Sequence, residues 1–290
     1  MFKKYKSFAK INLFLDVIEK LKNGYHNIRS IFSEISVYDI IRYKKNNLGI
    51  LRYFDEKKKL PDDNLLNKAG NVFLDFYNHI VFGIDFYINK MIPIGGGLGG
   101  GSSNAASILK ILNKEWSKKL GNNDLIRLSK MIGADVAFFI NGGIQKVEGI
   151  GDKTEPILIN NKLDLKLLFI YPDIAVSTQH AYKLIDDYKL NYNNKLNFNK
   201  YEALLDGLKF YNYSKIIKNI YNKFEDVIFK EYPVIAEAYN NIMNTNADRV
   251  FMTGSGSTLV GIFDTNRKLL DSAALLKDKG YNCTTAKIIL

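Results

Sequence analysis

Pro93-Ile94-Gly95-Gly96-Gly97-Leu98-Gly99-Gly100-Gly101-Ser102-Ser103-Asn104 places six glycines in seven positions, then two hydroxyls and a run of helical periodicity. Lacking a Cβ, glycine enters positive-φ conformations and lets backbone N–H groups approach an anion closely. In the following segment Ala105, Ile108, Leu109 and Leu112 fall on one helical face, which predicts a helix starting near Ser102 or Ser103. A helix start presents N–H groups without intrahelical partners and about half a positive charge. Loop and helix together therefore predict a cradle for polyphosphate. A flexible linker is the plain alternative, and an amphipathic helix directly behind the glycines argues against it.

The commoner phosphate loops do not fit. No Lys-Ser/Thr pair follows the last glycine, which excludes a P-loop. Gly95, Gly97 and Gly100 satisfy G-x-G-x-x-G, but in so rich a run the match is nearly automatic. A dinucleotide fold also wants an acidic ribose ligand about twenty residues on, and Glu115 comes too early, inside the helical stretch. A protein-kinase loop would be followed by H-R-D and D-F-G segments, and neither occurs downstream.

At 290 residues, with 47% hydrophobic and 24% charged side chains, the chain is globular and long enough for two domains. Asn, Asp and Lys interrupt every apolar run before the roughly twenty residues that cross a bilayer, so no membrane partner is expected. The basic start Met1-Phe2-Lys3-Lys4 lacks the apolar core and cleavage site of a signal peptide. A single cysteine, Cys283, permits no internal disulfide, and with only His26, His79 and His180 beside it no zinc cluster assembles; a cytoplasmic location is the plain expectation. The net charge of +11 raises the question of nucleic acid. However, the lysines are scattered, as in Lys44-Lys45 and Lys118-Lys119, or flanked by acids, as in Lys57-Lys58-Lys59. No nucleic-acid partner is expected.

Periodicity predicts strands over 6–17 and 27–37, a lysine-rich hairpin over 42–59, a helix over 64–77 and a strand over 81–89 ahead of the glycine loop. A helix over 123–132 follows, with Leu125, Leu128 and Ile132 in register. Pro156 and Asn160-Asn161 mark a boundary, placed at 158/159, which divides the chain into 1–158 and 159–290. Beyond it come a strand over 165–170, helices over 178–187, 214–229 and 233–244, strands over 249–252 and 258–263, a helix over 266–279 and a closing strand. The asparagine-rich 191–199 reads as a surface loop. The fold class is α+β, with a four-stranded layered second half.

Several residues carry chemistry only in context. Lys10 and Asn12 point away from the face bearing Ile11, Leu13, Leu15 and Val17, and taken alone describe the solvated side of an edge strand. Asp135, ahead of the apolar 136–140, is in position for an N-cap. Tyr25 after Gly24 suits core packing, and Thr253-Gly254-Ser255-Gly256-Ser257 suits a hairpin turn.

Ala9-Lys10-Ile11-Asn12-Leu13, Gly24-Tyr25-His26, the run from Gly95 to Ala106, Gly133-Ala134-Asp135-Val136, Glu148-Gly149-Ile150-Gly151 and 253–257 together resemble the GHMP kinase superfamily. Six separated blocks agree in order and spacing with its branch acting on a cytidine diphosphate-linked methylerythritol. The resemblance implies a ribosomal S5 domain 2-like N-terminal domain, a ferredoxin-like C-terminal domain, and an active site in the cleft between them. It implies ATP as phosphoryl donor with Mg2+, whose protein ligands it leaves unassigned, and a monomer or homodimer. Lys10 and Asp135 become the catalytic pair, Asp135 taking the substrate's hydroxyl proton and Lys10 stabilising the oxygen that loses it. The ATP contacts are Pro93, Ile94, Gly95, Gly96, Gly97, Leu98, Gly99, Gly100, Gly101, Ser102 and Ser103, with Asn64 and Leu65 at the adenine. Substrate contacts are Asn12 on the polyol, Tyr25 and Tyr182 stacking on cytosine, His26 reading its edge, and Thr178, Gly254, Ser255 and Gly256. Kinases of the homoserine or mevalonate type and a non-catalytic nucleotide sensor are the alternatives. Tyr25-His26 argues against the first, and the presence of both Lys10 and Asp135 against the second.

Overall fold

The computed structural model describes residues 1–55, 64–77, 82–117, 119–160, 163–188 and 195–290. Two long strands, β1 (Lys3–Lys20) and β2 (His26–Asn46), pair antiparallel along most of their length. Their connection turns at Gly24, whose φ of 84° favours glycine. β3 (Leu51–Asp55), α1 (Leu65–Tyr77) and β4 (Gly83–Asn89) follow. β4 pairs antiparallel with β2 and parallel with β3, giving the order β3-β4-β2-β1. The expected hairpin over 42–59 is therefore not formed, because β4 occupies the edge of β2 that the hairpin needed. Alternating side chains specify a strand but not its neighbour. Ile84, Phe86 and Ile88 of β4 are fully buried, and that burial decides the pairing. Lys57, Lys58 and Lys59 lie outside the described residues, as does His79.

α2 (Gly100–Glu115), α3 (Asn122–Ile132) and the short α4 (Val136–Asn141) follow, then β5 (Ile144–Gly149), paired with β2, and β6 (Lys153–Pro156), paired with β5. Ala105, Ile108, Leu109 and Leu112 of α2, with Leu125, Leu128 and Ile132 of α3, are buried in one cluster with Phe73 of α1 and Phe86 of β4. Each such large side chain contributes roughly 1.5–3 kcal/mol relative to exposure.

The second half contains β7 (Lys166–Ile170), α5 (Thr178–Asp187), α6 (Lys195–Phe210), α7 (Tyr213–Asn219), β8 (Tyr221–Asn222), α8 (Glu225–Glu231), α9 (Pro233–Met243), β9 (Arg249–Met252), β10 (Leu259–Phe263), α10 (Asn266–Asp278) and β11 (Cys283–Ala286). Four strands form an antiparallel sheet in the order β11-β7-β10-β9.

Two expectations are corrected here. Residues 195–199, read as loop, open α6; 191–194 lie outside the described residues. Buried Tyr201, Leu204, Leu205 and Leu208 supply the helical stripe, and asparagines at its start obscure it. The single helix expected over 214–229 is two helices separated by β8. The break is tertiary in origin: β8 pairs parallel with Phe14 and Leu15 of β1, and the Asn222 amide donates to the carbonyls of Met252 and Gly254.

The expected boundary at 158/159 falls in the connection between β6 and β7. A single cluster nevertheless joins Ile11, Leu13 and Phe14 of β1 to Leu167, Phe169, Phe251 and Val260 of the second sheet. The C-terminal end is also tied back, with the Ser36 N–H donating to the carbonyl of Lys287. The two halves thus pack around a shared core.

Candidate active site

A cleft of about 1400 Å³ is lined by Lys10, Asn12, Tyr25 and His26, by the glycine loop, by Asp135, and from the second half by Thr178, Tyr182, Gly254 and Ser255. Pockets for one drug-sized ligand are typically 300–1,000 Å³, so this cleft has room for two substrates. Asn64, Leu65, Pro93 and Ile94 line it as well. Asn64 also caps α1, its Oδ1 accepting the N–H groups of Leu66 and Asn67.

The glycine loop runs directly into α2, which starts at Gly100 and not at Ser102 or Ser103. The cap is Gly99, in the left-handed region with φ 68° and offering no side-chain hydrogen bond. Sequence reading looks for a hydroxyl at a helix start, whereas here a backbone conformation available to glycine does the work. The first N–H groups of α2 are therefore left for a ligand, and the helix dipole adds positive potential.

Ser103 is a correction. It is buried, its hydroxyl donates to the Phe8 carbonyl at 2.5 Å, and its N–H is taken by the Gly99 carbonyl, so it fastens α2 to β1 and does not line the cleft. Gly256 likewise is not among the lining residues; it packs over Met252, whose sulfur would lie 2.7 Å from an added Cβ.

The entry to the loop is clamped by Asp39, which is fully buried and accepts from the N–H groups of Met91 and Ile92 at 2.6 and 2.8 Å. The same carboxylate takes the Lys90 ammonium at 2.5 Å and the Asn104 amide at 2.9 Å. The middle of the loop abuts the second glycine motif. A Cβ on Gly97 would lie 2.4 Å from the Thr253 carbonyl oxygen, and one on Gly254 would lie 2.9 Å from that of Gly97. The exit is hung on β1, where the Lys10 N–H donates to Leu98 O at 3.0 Å.

At Lys10 the β1 edge is covered by the glycine loop, through that bond to Leu98, so Lys10 is not on the solvated face of an edge strand. Its side chain is only 5% exposed, with Nζ 3.8 Å from Asp135 Oδ2, a separation that makes an ion pair rather than a hydrogen bond. Nζ donates to Asn12 Oδ1 at 2.7 Å and lies 4.5 Å from the centre of the Phe32 ring. Burial pulls the ammonium below the ordinary lysine range, and Asp135 opposes that shift.

Asp135 occupies the N-cap position of α4, but its side chain makes no capping bond. At 35% exposure the carboxylate faces the cleft. Gly151 approaches from behind, so closely that a Cβ there would lie 3.3 Å from Asp135 Oδ1.

Asn12 differs from expectation in detail. Its Oδ1 accepts from Lys10, its Nδ2 donates to Ser30 Oγ at 3.1 Å, and its N–H donates to Thr253 Oγ1 at 2.9 Å. Asn12 stays paired with Phe32 in the ladder, and its N–H points, like that of Lys10, to the side of β1 away from β2. Asn12 thus holds Lys10 in place.

At the far end of the cleft Tyr25 is 60% exposed, while His26 is buried and stacked on Tyr182 with ring centroids 4.6 Å apart. The ring lying on Tyr182 is that of His26, so the expected Tyr25 and Tyr182 sandwich is not closed in this structure. Burial raises the Tyr182 phenol, and the nearby Asp135 charge adds to the shift. The Thr178 and Ser255 hydroxyls are 3.0 Å apart on the second half's wall.

The arrangement joins a cationic helix start, a lysine–aspartate pair and an aromatic subsite in one cleft. Residues 64–143 match the GHMP kinases N terminal domain and 204–280 the GHMP kinases C terminal domain. The 4-diphosphocytidyl-2-C-methyl-D-erythritol kinase of Caldicellulosiruptor bescii is 34% identical over 276 residues, covering 94% of each chain. The enzyme of that name from Clostridium botulinum is 36% identical over 261 residues, covering 89% of this chain and 90% of its own. The chain belongs to the GHMP kinase family. Among solved structures, that of 4-(cytidine 5'-diphospho)-2C-methyl-D-erythritol kinase superposes with a TM-score of 0.82 at 24% identity over 99% of each chain. A mevalonate kinase superposes at 0.74 with 17% identity, also over 99% of each, and these two show the fold alone.

In this GHMP kinase the structure adds four side chains that sequence reasoning did not single out for the site: Ser30, Asp39, Asp186 and Thr253. Asp186 lies one helical turn beyond Tyr182 on α5, a spacing that could have exposed it. Thr253 stands in a quoted motif whose glycines drew the attention. Ser30 and Asp39 sit in a long strand whose local pattern marks neither.

Proposed function

We propose that the chain transfers the γ-phosphoryl group of ATP to the 2-hydroxyl of 4-diphosphocytidyl-2-C-methyl-D-erythritol, a step of non-mevalonate isoprenoid precursor synthesis. One observation carries the reading: Lys10 and Asp135 form a pair beside the uncapped start of α2, inside a cleft that continues to Tyr25 and His26. Phosphoryl transfer leaves the protein mainly positioning and charge neutralisation to perform. The N–H groups at the start of α2 and the loop hold the phosphates. Asp135 takes the proton of the attacking hydroxyl, and Lys10 stabilises the oxygen as charge develops on it. The Thr178 and Ser255 hydroxyls and the Gly254 backbone face the substrate's diphosphate, and Tyr25 covers the base while His26 reads its edge.

Magnesium enters as part of the nucleotide substrate. Among the described residues no group of three or more His, Cys, Asp or Glu forms a metal cluster. An ion carried in on phosphate oxygens would find Ser102 and Asp135 among the oxygens lining the cleft. In the same reading residues 1–158 form the ATP-binding N-terminal domain and 159–290 the C-terminal domain.

The test is phosphorus NMR of the product formed from ATP and the cytidine compound. A new phosphomonoester on the tertiary carbon, without splitting by a carbinol proton, is expected, and Asp135→Ala should slow its appearance by about 10²–10⁴-fold. Phosphate appearing on a primary or secondary hydroxyl, or full turnover in Asp135→Ala, would contradict the assignment.

A further inference from the structure

We infer that Asp186 fixes the tautomer of His26 and so decides which base edge the cleft accepts. The inference rests on the cytidine reading above. Two contacts hold the imidazole: its face lies on Tyr182 with planes 14° apart, and its Nε2 is 2.8 Å from Asp186 Oδ1. Tyr182 and Asp186 stand one turn apart on α5, so a single helix supplies both the stacking plane and the anchor.

An ionised carboxylate only accepts hydrogen bonds. Nε2 therefore carries the proton, and in the neutral ring Nδ1 is left as an acceptor. No described residue hydrogen-bonds Nδ1. An acceptor there matches the exocyclic amine of cytosine. Uracil offers a carbonyl at the same place, which would set two lone pairs against each other in a buried site.

Lys20 completes the device. Its ammonium is 2.6 Å from Asp186 Oδ2, so Oδ2 accepts from Lys20 while Oδ1 faces His26. An ammonium has donors and no acceptor. In Asp186→Asn the amide oxygen must therefore turn to Lys20, which presents the amide N–H2 to His26 Nε2. That nitrogen must then be bare, and the ring proton moves to Nδ1. The ring would offer a donor where the wild type offers an acceptor.

The experiment compares kcat/KM for the cytidine substrate and its uridine analogue in wild type and Asp186→Asn, with 15N NMR of histidine-labelled protein reading the tautomer. Wild type should favour the cytidine form by about ten- to hundredfold and show the His26 proton on Nε2. Asp186→Asn should lose or reverse that preference, show the proton on Nδ1, and keep its KM for ATP. A wild-type spectrum with the proton on Nδ1 overturns the inference without any substitution. So does an Asp186→Asn enzyme that keeps both the cytidine preference and the Nε2 proton, and that result leaves the kinase reading intact. A wild type that treats the two bases alike overturns the cytosine reading itself, while the spectra still report whether Asp186 sets the ring.

Discussion

Lys10 is a cation in a place water barely reaches, and its neighbours make that tenable. The Asn12 amide oxygen, the Phe32 ring and the Asp135 carboxylate surround Nζ. Asn12 is itself held by Ser30 from β2 and by Thr253 from the second half. Orientation of the ammonium thus depends, through Asn12, on a hydroxyl 241 residues beyond Asn12 in sequence. Thr253→Val keeps the shape and removes the hydroxyl, which should lower kcat by about ten- to hundredfold with little change in either KM. Thr253→Ser should restore most of the loss. Normal kcat in the valine variant would show that Lys10 is positioned without this contact. Lys10 and Asp135 were legible in the sequence only through the company of the other motifs, because a buried lysine and a solvated one have the same local pattern. Asn12 was legible as a site residue, but its task of holding Lys10 depends on a partner in the other half.

The glycine loop and α2 act as one element. Gly97 and Gly99 need their positive φ and their close contacts, so substituting them disturbs folding as well as binding. Gly101 is different: it lies in the first turn of α2 at the cleft, and an added Cβ would meet only Leu65 at an ordinary 3.7 Å. Gly101→Ala should keep or raise thermal stability, since alanine is the better helix former by up to about 1 kcal/mol. It should weaken ATP binding several-fold by crowding the N–H groups. Calorimetry showing unchanged ATP affinity would mean that this end of α2 does not meet the nucleotide. α8 offers a second test through Glu225, which is partly buried and accepts the Met252 N–H at 2.7 Å. Burial pushes its carboxyl up to about 7, from an ordinary 4.5. The folded state therefore holds a proton that the unfolded chain releases. The resulting stabilisation is complete below pH 4.5 and is lost as pH rises through about 7. Glu225→Gln keeps an acceptor for Met252 and removes the titration. Relative to that variant the wild type should lose melting temperature between these pH values and then level off; parallel curves would contradict a raised pKa.

At the scale of the whole molecule, the two halves are not independent bodies joined by a hinge. β8 pairs with β1, the shared cluster crosses from Phe14 to Phe251, and the chain's end returns to β2. Those long-range pairings are what sequence reading did not reach. Helices with their own apolar stripe, such as α3 and α10, and strands bounded by turns, such as β9, were legible from local pattern. The splitting of 214–229 and the insertion of β4 beside β2 were not, because each is chosen by burial between distant segments. The cleft was legible in its glycines and in Lys10 and Asp135, and less so in the contacts that hold them.

The account's central claim is that one cleft joins phosphoryl transfer to recognition of a cytidine diphosphate-linked alcohol, and steady-state kinetics with three acceptors tests it most directly. ADP release would be followed with ATP and, in turn, 4-diphosphocytidyl-2-C-methyl-D-erythritol, mevalonate and homoserine. The account predicts that kcat/KM for the cytidine compound exceeds the other two by at least about 10³-fold, because neither small alcohol can occupy the Tyr25 and His26 end of the cleft and its binding energy is then missing. Comparable turnover of mevalonate or homoserine, or no turnover of the cytidine compound, would contradict it.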